Sequence, residues 1–182
     1  MFPDLKRAKD EVKKADLDDL VIKLDHVAYR VKMGQREKAM KEIADLVPYK
    51  EYKTFKVISM KATTSTLKLH DTLPVIVVSE GLAEDSIVEN YVKKYGGRIH
   101  HFAYLVRDIE KVVEIQKSKG VKFTTENIIG SKEEGIKQIF TLPTETANHI
   151  IEYIQRFGDF DGFFTPSNIG ALMKSTEKLG EA

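Results

Sequence analysis

The stretch HVAYRV at residues 26–31 recurs as HFAYLV at residues 101–106, so that a histidine, an alanine, a tyrosine and a valine return in register after 75 residues (101 minus 26). In both copies the histidine opens an alternating run of β-branched and aromatic residues, which predicts a strand with the small alanine on the face of the histidine. Two copies of one unit would thus each direct an imidazole toward a shared interior. A single buried histidine is more often a core residue than a ligand, but the repetition favours a metal site.

The composition is that of an ordinary globular protein. Of the 182 residues, 42% are hydrophobic and 31% are charged, which supplies a substantial core and argues against disorder. A formal net charge of +1, with basic residues mixed among acidic ones, predicts no nucleic-acid partner. The absence of cysteine excludes disulfides, thiolate metal ligands and cysteine nucleophiles. The highly charged residues 1–20, together with the lack of a long apolar stretch, predict no membrane partner and a cytoplasmic location.

The pattern around the two histidine strands predicts a βαβββ arrangement in each copy. A helix over residues 35–47 stops before Pro48 in the first copy, and a helix from Asp108, a good N-cap, to Lys119 is its counterpart in the second. The strands predicted after these helices cover residues 52–60, 63–69 and 74–79 in the first copy and residues 122–125, 135–142 and 149–155 in the second.

The modules are predicted to be fused rather than separate. An N-terminal helix covers residues 1–20, and the first βαβββ module with a connector helix covers residues 21–95. The second module, followed by a C-terminal helix, covers residues 96–182. The connector helix itself, at residues 85–94, ends at a pair of glycines.

Glu152 is the candidate for a third metal ligand. It lies in the run IIEYI at residues 150–154, a strand otherwise too apolar to hold an unpaired carboxylate. Subtracting the repeat interval gives Val77, and residues 75–78 contain no carboxylate, amide or imidazole. The first copy therefore supplies one ligand and the second supplies two. Two histidines and one carboxylate leave three cis positions open, as in non-haem Fe(II) oxygenases, and these positions suit a bidentate 2-oxo acid plus dioxygen.

At these residues the chain resembles the vicinal oxygen chelate superfamily and, within it, the C-terminal catalytic half of the 4-hydroxyphenylpyruvate dioxygenase family. The resemblance covers about residues 20–180 and is faint between residues 33 and 74. It implies an α+β fold in which two tandem βαβββ modules form a half-open eight-stranded barrel around a metal. The motifs that carry it are DHV at residues 25–27, the segment from Tyr91 through the second histidine strand to Ile109, QIFT at 138–141, IEYIQR at 151–156, and Ser167-Asn168 at the start of a helix after a loop rich in Gly and Phe.

The resemblance also implies roles for individual residues. His26, His101 and Glu152 would bind Fe(II), which Zn, Mn, Co or Ni could replace in a purified sample. Gln138 and Asn168 would be catalytic, with Gln138 orienting the substrate, and the helix from Asn168 would close over the site as a lid. The substrate contacts would come from Ser65, Ser79, Phe140, Phe164 and Ile169.

The chain also departs from the family. His100 stands where the family has a glutamine, and Ile150 and Ile169 stand where it has phenylalanines, so an aromatic substrate is not implied. The family also carries an additional pair of modules ahead of the catalytic pair, so the resemblance implies that the single pair in this sequence is a minimal version of the family.

The activity predicted on this basis is that of a mononuclear Fe(II) dioxygenase that decarboxylates a 2-oxo acid oxidatively, with the acid and dioxygen as its small-molecule partners. A metal-dependent epimerase or a glyoxalase-type isomerase or lyase stays open as an alternative. Such enzymes normally need a second acidic or amide residue in the first copy. A non-catalytic binding or resistance protein that uses the cleft alone is a third interpretation. A homodimer is an oligomeric state compatible with the sequence.

Overall fold

The structure, a computed structural model, describes residues 17–158, 160 and 163–179. Residues 1–16 of the predicted N-terminal helix lie outside the described residues, and residues 18–20 form a turn before the first strand. None of the helices within the described ranges combines the length and the apolar character that a membrane crossing requires.

The described part of the chain forms one eight-stranded sheet, curled into a half-barrel, with four α-helices, as the α+β prediction requires. The strands are β1 (Val21–Val31), β2 (Lys50–Val57), β3 (Ala62–Lys68), β4 (Val75–Gly81), β5 (Arg98–Val106), β6 (Ile129–Ser131), β7 (Ile136–Phe140) and β8 (Ile150–Arg156). The helices are α1 (Arg36–Leu46), α2 (Ile87–Tyr95), α3 (Ile109–Ser118) and α4 (Pro166–Ser175), with short 3-10 helices at Ile58–Met60 and Thr176–Leu179.

The strand order repeats the sequence duplication. The order is β2-β3-β4-β1-β5-β8-β7-β6, so the four strands of one copy mirror those of the other. In each copy the histidine strand pairs in parallel with the last strand of the module, β1 with β4 and β5 with β8. The two histidine strands pair with each other in antiparallel orientation and join the modules at the centre of the sheet.

The register of the central strands fixes which residues are equivalent. His26 lies opposite Ala103, and Ala28 lies opposite His101. On the outer sides, Ala28 pairs with Val77 and Ala103 pairs with Glu152. Val77 therefore occupies in the first module the position that Glu152 occupies in the second.

Alternation along the strands separates two packing faces. The convex face of the first module packs its apolar side chains, such as Ile76 and Val78, with Met40 of α1. The second module does the same with α3, where Val112 joins Ile139 in a cluster. The concave face, which carries the histidines, is left for the C-terminal segment, whose apolar residues Phe164, Ile169 and Met173 belong to the core cluster of that face.

Local sequence signals set the helix boundaries. Ser86 caps α2 by accepting a hydrogen bond from the backbone N–H of Glu89 at 3.1 Å, and Asp108 caps α3 in the same way from Lys111 at 3.0 Å. Helix α2 ends at Gly96, whose φ of +77° is readily adopted by glycine alone. The predicted connector helix and the predicted N-cap at Asp108 are confirmed.

The strand predicted near residues 122–125 is wrong. Phe123 makes only an isolated bridge to Thr141, because its side chain packs into the cluster beneath α3. The edge strand of the second module is instead β6, which pairs with β7 through Ile129 and Gln138. In the first module the predicted strand over residues 52–60 ends earlier, since residues 58–60 turn into a 3-10 helix closed by Lys61 at a φ of +47°.

Candidate metal centre

Three side chains converge at the centre of the concave face. The Nε2 atom of His26 lies 3.2 Å from Nε2 of His101 and 3.1 Å from Oε2 of Glu152. The Nε2 atom of His101 lies 3.0 Å from the same carboxylate oxygen. His26 and Glu152 are wholly buried, and each of the three residues comes from a different strand, β1, β5 and β8.

The spacing of these atoms fits a six-coordinate ion. Ligand atoms about 2.1 Å from an ion are about 3.0 Å apart when they are cis in an octahedron and about 3.4 Å apart in a tetrahedron. The three observed separations, 3.0, 3.1 and 3.2 Å, lie at or close to the octahedral value. The residues present therefore match a facial arrangement of two imidazoles and one carboxylate, the donor set that suits a transition metal with open positions.

Each candidate ligand histidine is preceded by a bulged residue. Along the β1–β5 pair, the register skips Asp25 on one strand and His100 on the other, and these two positions are 75 residues apart (100 minus 25). A β-bulge re-aims the side chain of the extra residue, here toward the neighbouring histidine. The duplication therefore includes the supports of the histidines as well as the histidines themselves.

The bulged residues hold the far side of each ring. Asp25 Oδ1 lies 2.9 Å from His26 Nδ1, so the carboxylate accepts the Nδ1 proton and leaves Nε2 to face the centre. The Nδ1 atoms of His100 and His101 are 2.8 Å apart, so one ring donates to the other. Asp25 is itself fixed by Arg156, which donates to its two oxygens at 2.8 and 3.0 Å.

The buried charges shift one another's protonation. Burial alone would raise the pKa of Glu152, but the two histidines lower it to about 2. Burial alone would lower the pKa of His26, but the carboxylates of Glu152 and Asp25 raise it to about 9. Burial lowers the pKa of His101, and Glu152 offsets that only in part. In the metal-free protein His26 and Glu152 thus form a buried ion pair, and a metal ion must displace a proton from His26 to enter.

Gln138 supports the carboxylate from β7. Its Nε2 donates to Glu152 Oε1 at 2.6 Å, which leaves Oε2 of the carboxylate toward the histidines. The other end of the amide, Gln138 Oε1, is buried without a hydrogen-bond partner among the described residues. An acceptor in this position is available to a hydroxyl group or a water in the cavity.

The cavity over the three side chains is small and closed by the C-terminal segment. Its volume is about 50 Å³, room for a few water molecules and less than a small-molecule substrate requires. Ile169, Leu172 and Met173 of α4 form part of its wall, and the ring of Phe164 packs edge-on against His26 with centroids 5.2 Å apart. The helix therefore lies over the site in a closed position.

Most of the residues predicted from the sequence come together in this cavity. The walls include Gln138 and four of the five predicted substrate contacts, namely Ser79, Phe140, Phe164 and Ile169. The ring of Phe140 packs at a tilt of 53° against the ring of His101, with centroids 4.7 Å apart. The roles of these residues stay predictions.

Ser65 and Asn168 lie elsewhere. Ser65 is on the face of β3 that points away from the cavity, where its hydroxyl contacts Arg36 and the hydroxyl of Thr54, so the prediction that it contacts substrate is not supported. Its neighbour Thr64 lines the cavity instead, because successive residues of a strand face opposite sides. Asn168 is buried in α4 with Oδ1 against Gly130 of β6, outside the cavity walls.

Several residues of the site were missed by the sequence analysis. Asp25 and His100 lie next to the histidines in sequence, and strict strand alternation would have turned both away from the site; only the bulges bring them back. Arg156 follows the apolar part of β8, and Arg30 ends the first repeated stretch. One sequence feature could have drawn attention to Arg30: it is a charged residue in an otherwise apolar repeated stretch, at the position where the second copy has Leu105.

The fold and the site define a paired βαβββ protein with a candidate metal centre where its two modules meet. Residues 25–140 match the family model described as the Glyoxalase/Bleomycin resistance protein/Dioxygenase superfamily. The chain belongs to this superfamily, which is the vicinal oxygen chelate superfamily that the sequence resembles. No curated protein matches the sequence.

Solved structures of two kinds of enzyme share the fold. A triple mutant of 4-hydroxymandelate synthase from Streptomyces coelicolor superposes with a TM-score of 0.74 at 22% identity over 88% of this chain, and the match spans 56% of that longer chain. A methylmalonyl-CoA epimerase superposes with a TM-score of 0.65 at 23% identity, covering 78% of this chain and 99% of the other. The methylmalonyl-CoA epimerase from Mycobacterium tuberculosis gives a TM-score of 0.65 at 19% identity, covering 80% and 95%. These similarities establish the fold, and they include enzymes with different reactions.

Proposed function

We propose that this protein is a mononuclear non-haem Fe(II) dioxygenase that acts on a 2-oxo acid by oxidative decarboxylation. The observation that carries the proposal is the number of protein ligands. Three ligand atoms lie in a facial arrangement, and Val77 takes the place where the symmetry of the modules would put a fourth. A 2-oxo acid occupies two positions through its keto and carboxylate oxygens, and dioxygen needs one more, so three open positions are required.

In this proposal His26, His101 and Glu152 hold the iron. Fe(II), when bound, would be the ion that the keto and carboxylate oxygens of the acid chelate, and it would pass electrons from the acid to dioxygen. The acid would supply all four electrons, two from its oxidative decarboxylation and two from oxygenation of the remaining chain, so the iron would end each cycle as Fe(II). Asp25 and His100 keep the imidazoles in the orientation that directs Nε2 inward. Gln138 fixes Glu152 with one end of its amide and offers the other end as an acceptor to the substrate.

The remaining walls exclude water. Phe140, Phe164, Ile169 and Met173 surround the centre with apolar surface, which protects a reactive site from solvent and strengthens the electrostatic interactions inside it. Since the closed cavity is too small for a substrate, α4 must move for the acid to enter, and its return would complete the site.

The homodimer stays a prediction.

An epimerase of an acyl thioester is the second candidate, because the two methylmalonyl-CoA epimerases match over nearly their whole length. Such a reaction removes and returns a proton at carbon and needs a base beside the metal. Among the described residues that line the cavity, the one carboxylate is Glu152, which is engaged by the two histidines and by Gln138. This favours the dioxygenase.

The two candidates give opposite results in one pair of assays. Fe(II)-loaded protein is incubated with a panel of 2-oxo acids while oxygen consumption and carbon dioxide release are recorded, and with methylmalonyl-CoA in deuterium oxide while exchange of the carbon-bound proton is followed. The dioxygenase proposal predicts equal amounts of oxygen consumed and carbon dioxide released with at least one 2-oxo acid, and no exchange. Exchange of the thioester proton without oxygen uptake would overturn it.

A further inference from the structure

A row of polar side chains crosses three strands at one end of the cavity. Arg30 of β1 pairs with Ser79 of β4, and Ser79 pairs with Thr64 of β3. All three side chains are buried and line the cavity, and the hydroxyls of Thr64 and Ser79 are 2.8 Å apart. None of the three is a candidate metal ligand, so the proposed iron site does not account for this row, which we call the arginine row.

The guanidinium of Arg30 is held in place from two sides. Its Cζ lies 5.0 Å above the centre of the Tyr91 ring, and its Nη2 donates to Thr176 Oγ1 at 3.3 Å. Only 4% of the residue is exposed. A cation at this depth, positioned by stacking and hydrogen bonding, is suited to bidentate recognition of a carboxylate because its donors form a rigid planar fork.

The arginine row lies at a defined distance from the metal centre. His26, Ala28 and Arg30 lie at every second position on the concave face of β1. Arg30 is therefore four residues along the strand from His26 and two residues from Ala28, which lies opposite His101. At about 3.3 Å per residue, Arg30 is about 13 Å along the strand from His26 and about 7 Å from the level of His101. Between them on β1 and β4 lie the paired residues Ala28 and Val77, which present apolar side chains to the cavity.

We infer that the substrate is a 2-oxo dicarboxylic acid, whose distal carboxylate binds to the arginine row while its 2-oxo acid end binds at the metal centre. This inference rests on the proposed function, because it takes the chelating end as given. The short apolar surface at Ala28 and Val77 fits a methylene chain. Because the hydroxyls of Thr64 and Ser79 share one hydrogen bond, one of the two protons stays available to donate to a carboxylate oxygen.

Binding of matched pairs of acids tests the inference without turnover. Under anaerobic conditions, Fe(II)-loaded protein is titrated with 2-oxoglutarate against 2-oxopentanoate, and with 2-oxoadipate against 2-oxohexanoate, while the visible charge-transfer band of the chelate is recorded. The members of each pair differ only in a carboxylate in place of a terminal methyl group. We expect the wild-type protein to bind the dicarboxylic member of at least one pair at least about tenfold more tightly.

Variants assign the preference to residues. Arg30→Met keeps most of the side-chain volume and is expected to remove the preference, while Ser79→Ala is expected to reduce it. Arg98→Met is the matched control, since Arg98 is the exposed partner of Arg30 across the β1–β5 pair, and it should leave the preference unchanged.

Three outcomes separate the inference from the proposed function. Absence of a band with every acid overturns the proposed function. A band of equal affinity within both pairs in the wild-type protein leaves the proposed function standing and overturns the inference, even if Arg30→Met does not fold. Retention of the preference in folded Arg30→Met and Ser79→Ala also overturns it.

Discussion

Replacing Asp25 by asparagine tests whether the bulged residue before His26 sets up a metal ligand. The substitution keeps the size and shape of the side chain but removes the negative charge that accepts the Nδ1 proton of His26 at 2.9 Å. It also removes the charge that pairs with Arg156 at 2.8 Å. The first change bears on metal affinity and the second on the stability of the fold, so the two effects are measured separately.

The expected loss of metal affinity is 10- to 100-fold, or about 1.4–2.8 kcal/mol, which is the usual effect of removing an acceptor behind a ligand histidine. The expected loss of stability is about 1–3 kcal/mol. This is below the roughly 3–5 kcal/mol typical of breaking a fully buried ion pair, because the Arg156 side chain is 19% exposed and water can solvate it.

The affinity is measured by competition with a chelator for Zn(II) or, under anaerobic conditions, for Fe(II), and the stability by urea unfolding of the metal-free protein. Asp108→Asn is the control, because Asp108 caps α3 far from any candidate ligand and asparagine caps a helix equally well. Asp25→Asn protein that is folded and binds metal with wild-type affinity would refute the reasoning, since Asp25 would then not act through His26.

Three further outcomes are expected. Glu152→Gln should leave a folded metal-free protein but less than one bound metal per chain and no turnover; full metal loading together with normal turnover would remove Glu152 from the ligand set. Glu152 and Asp25 raise the pKa of His26 to about 9 against the effect of burial, so the folded metal-free protein binds a proton that the unfolded chain releases above pH 6.5. Its free energy of unfolding, measured with urea, should therefore fall as the pH rises from 6.5 to about 9. A free energy of unfolding that stays constant over that range would contradict the ion pair. Ile169→Phe should raise the kcat/KM ratio for an arylpyruvate over an aliphatic 2-oxo acid by stacking on the ring, whereas an unchanged ratio places Ile169 outside the substrate contacts.

The duplicated stretch made much of the architecture predictable. Because the same strand occurs twice, an interval of 75 residues was enough to identify Val77 as the counterpart of Glu152, and the β1–β4 and β5–β8 registers give the same equivalence. The helices were predictable from their caps and composition. The edge strand of the second module could not be predicted in the same way. Phe123 is a residue type that favours strands, but its side chain packs beneath α3, and the actual edge strand, β6, is short and contains a glycine, which disfavours strands.

The supports of the site were harder to predict than the candidate ligands. Alternation correctly placed the three converging side chains on one face, but it turned Asp25 and His100 away, because a bulge adds a residue that no periodic pattern contains. Because successive residues of a strand face opposite sides of the sheet, Thr64 lines the cavity and its neighbour Ser65 points away from it. The polar character of this segment was visible in the sequence, but the register that selects Thr64 depends on the pairing of β3 with β4.

The measurement that tests the central claim most directly is a crystal structure of the protein loaded with Fe(II) or Mn(II), in which anomalous scattering locates the ion. We predict one ion within about 2.0–2.3 Å of His26 Nε2, His101 Nε2 and an oxygen of Glu152, with its remaining positions filled by water or a 2-oxo acid. An ion bound elsewhere, any of the three side chains turned away from it, or a fourth protein ligand at the metal would contradict the account.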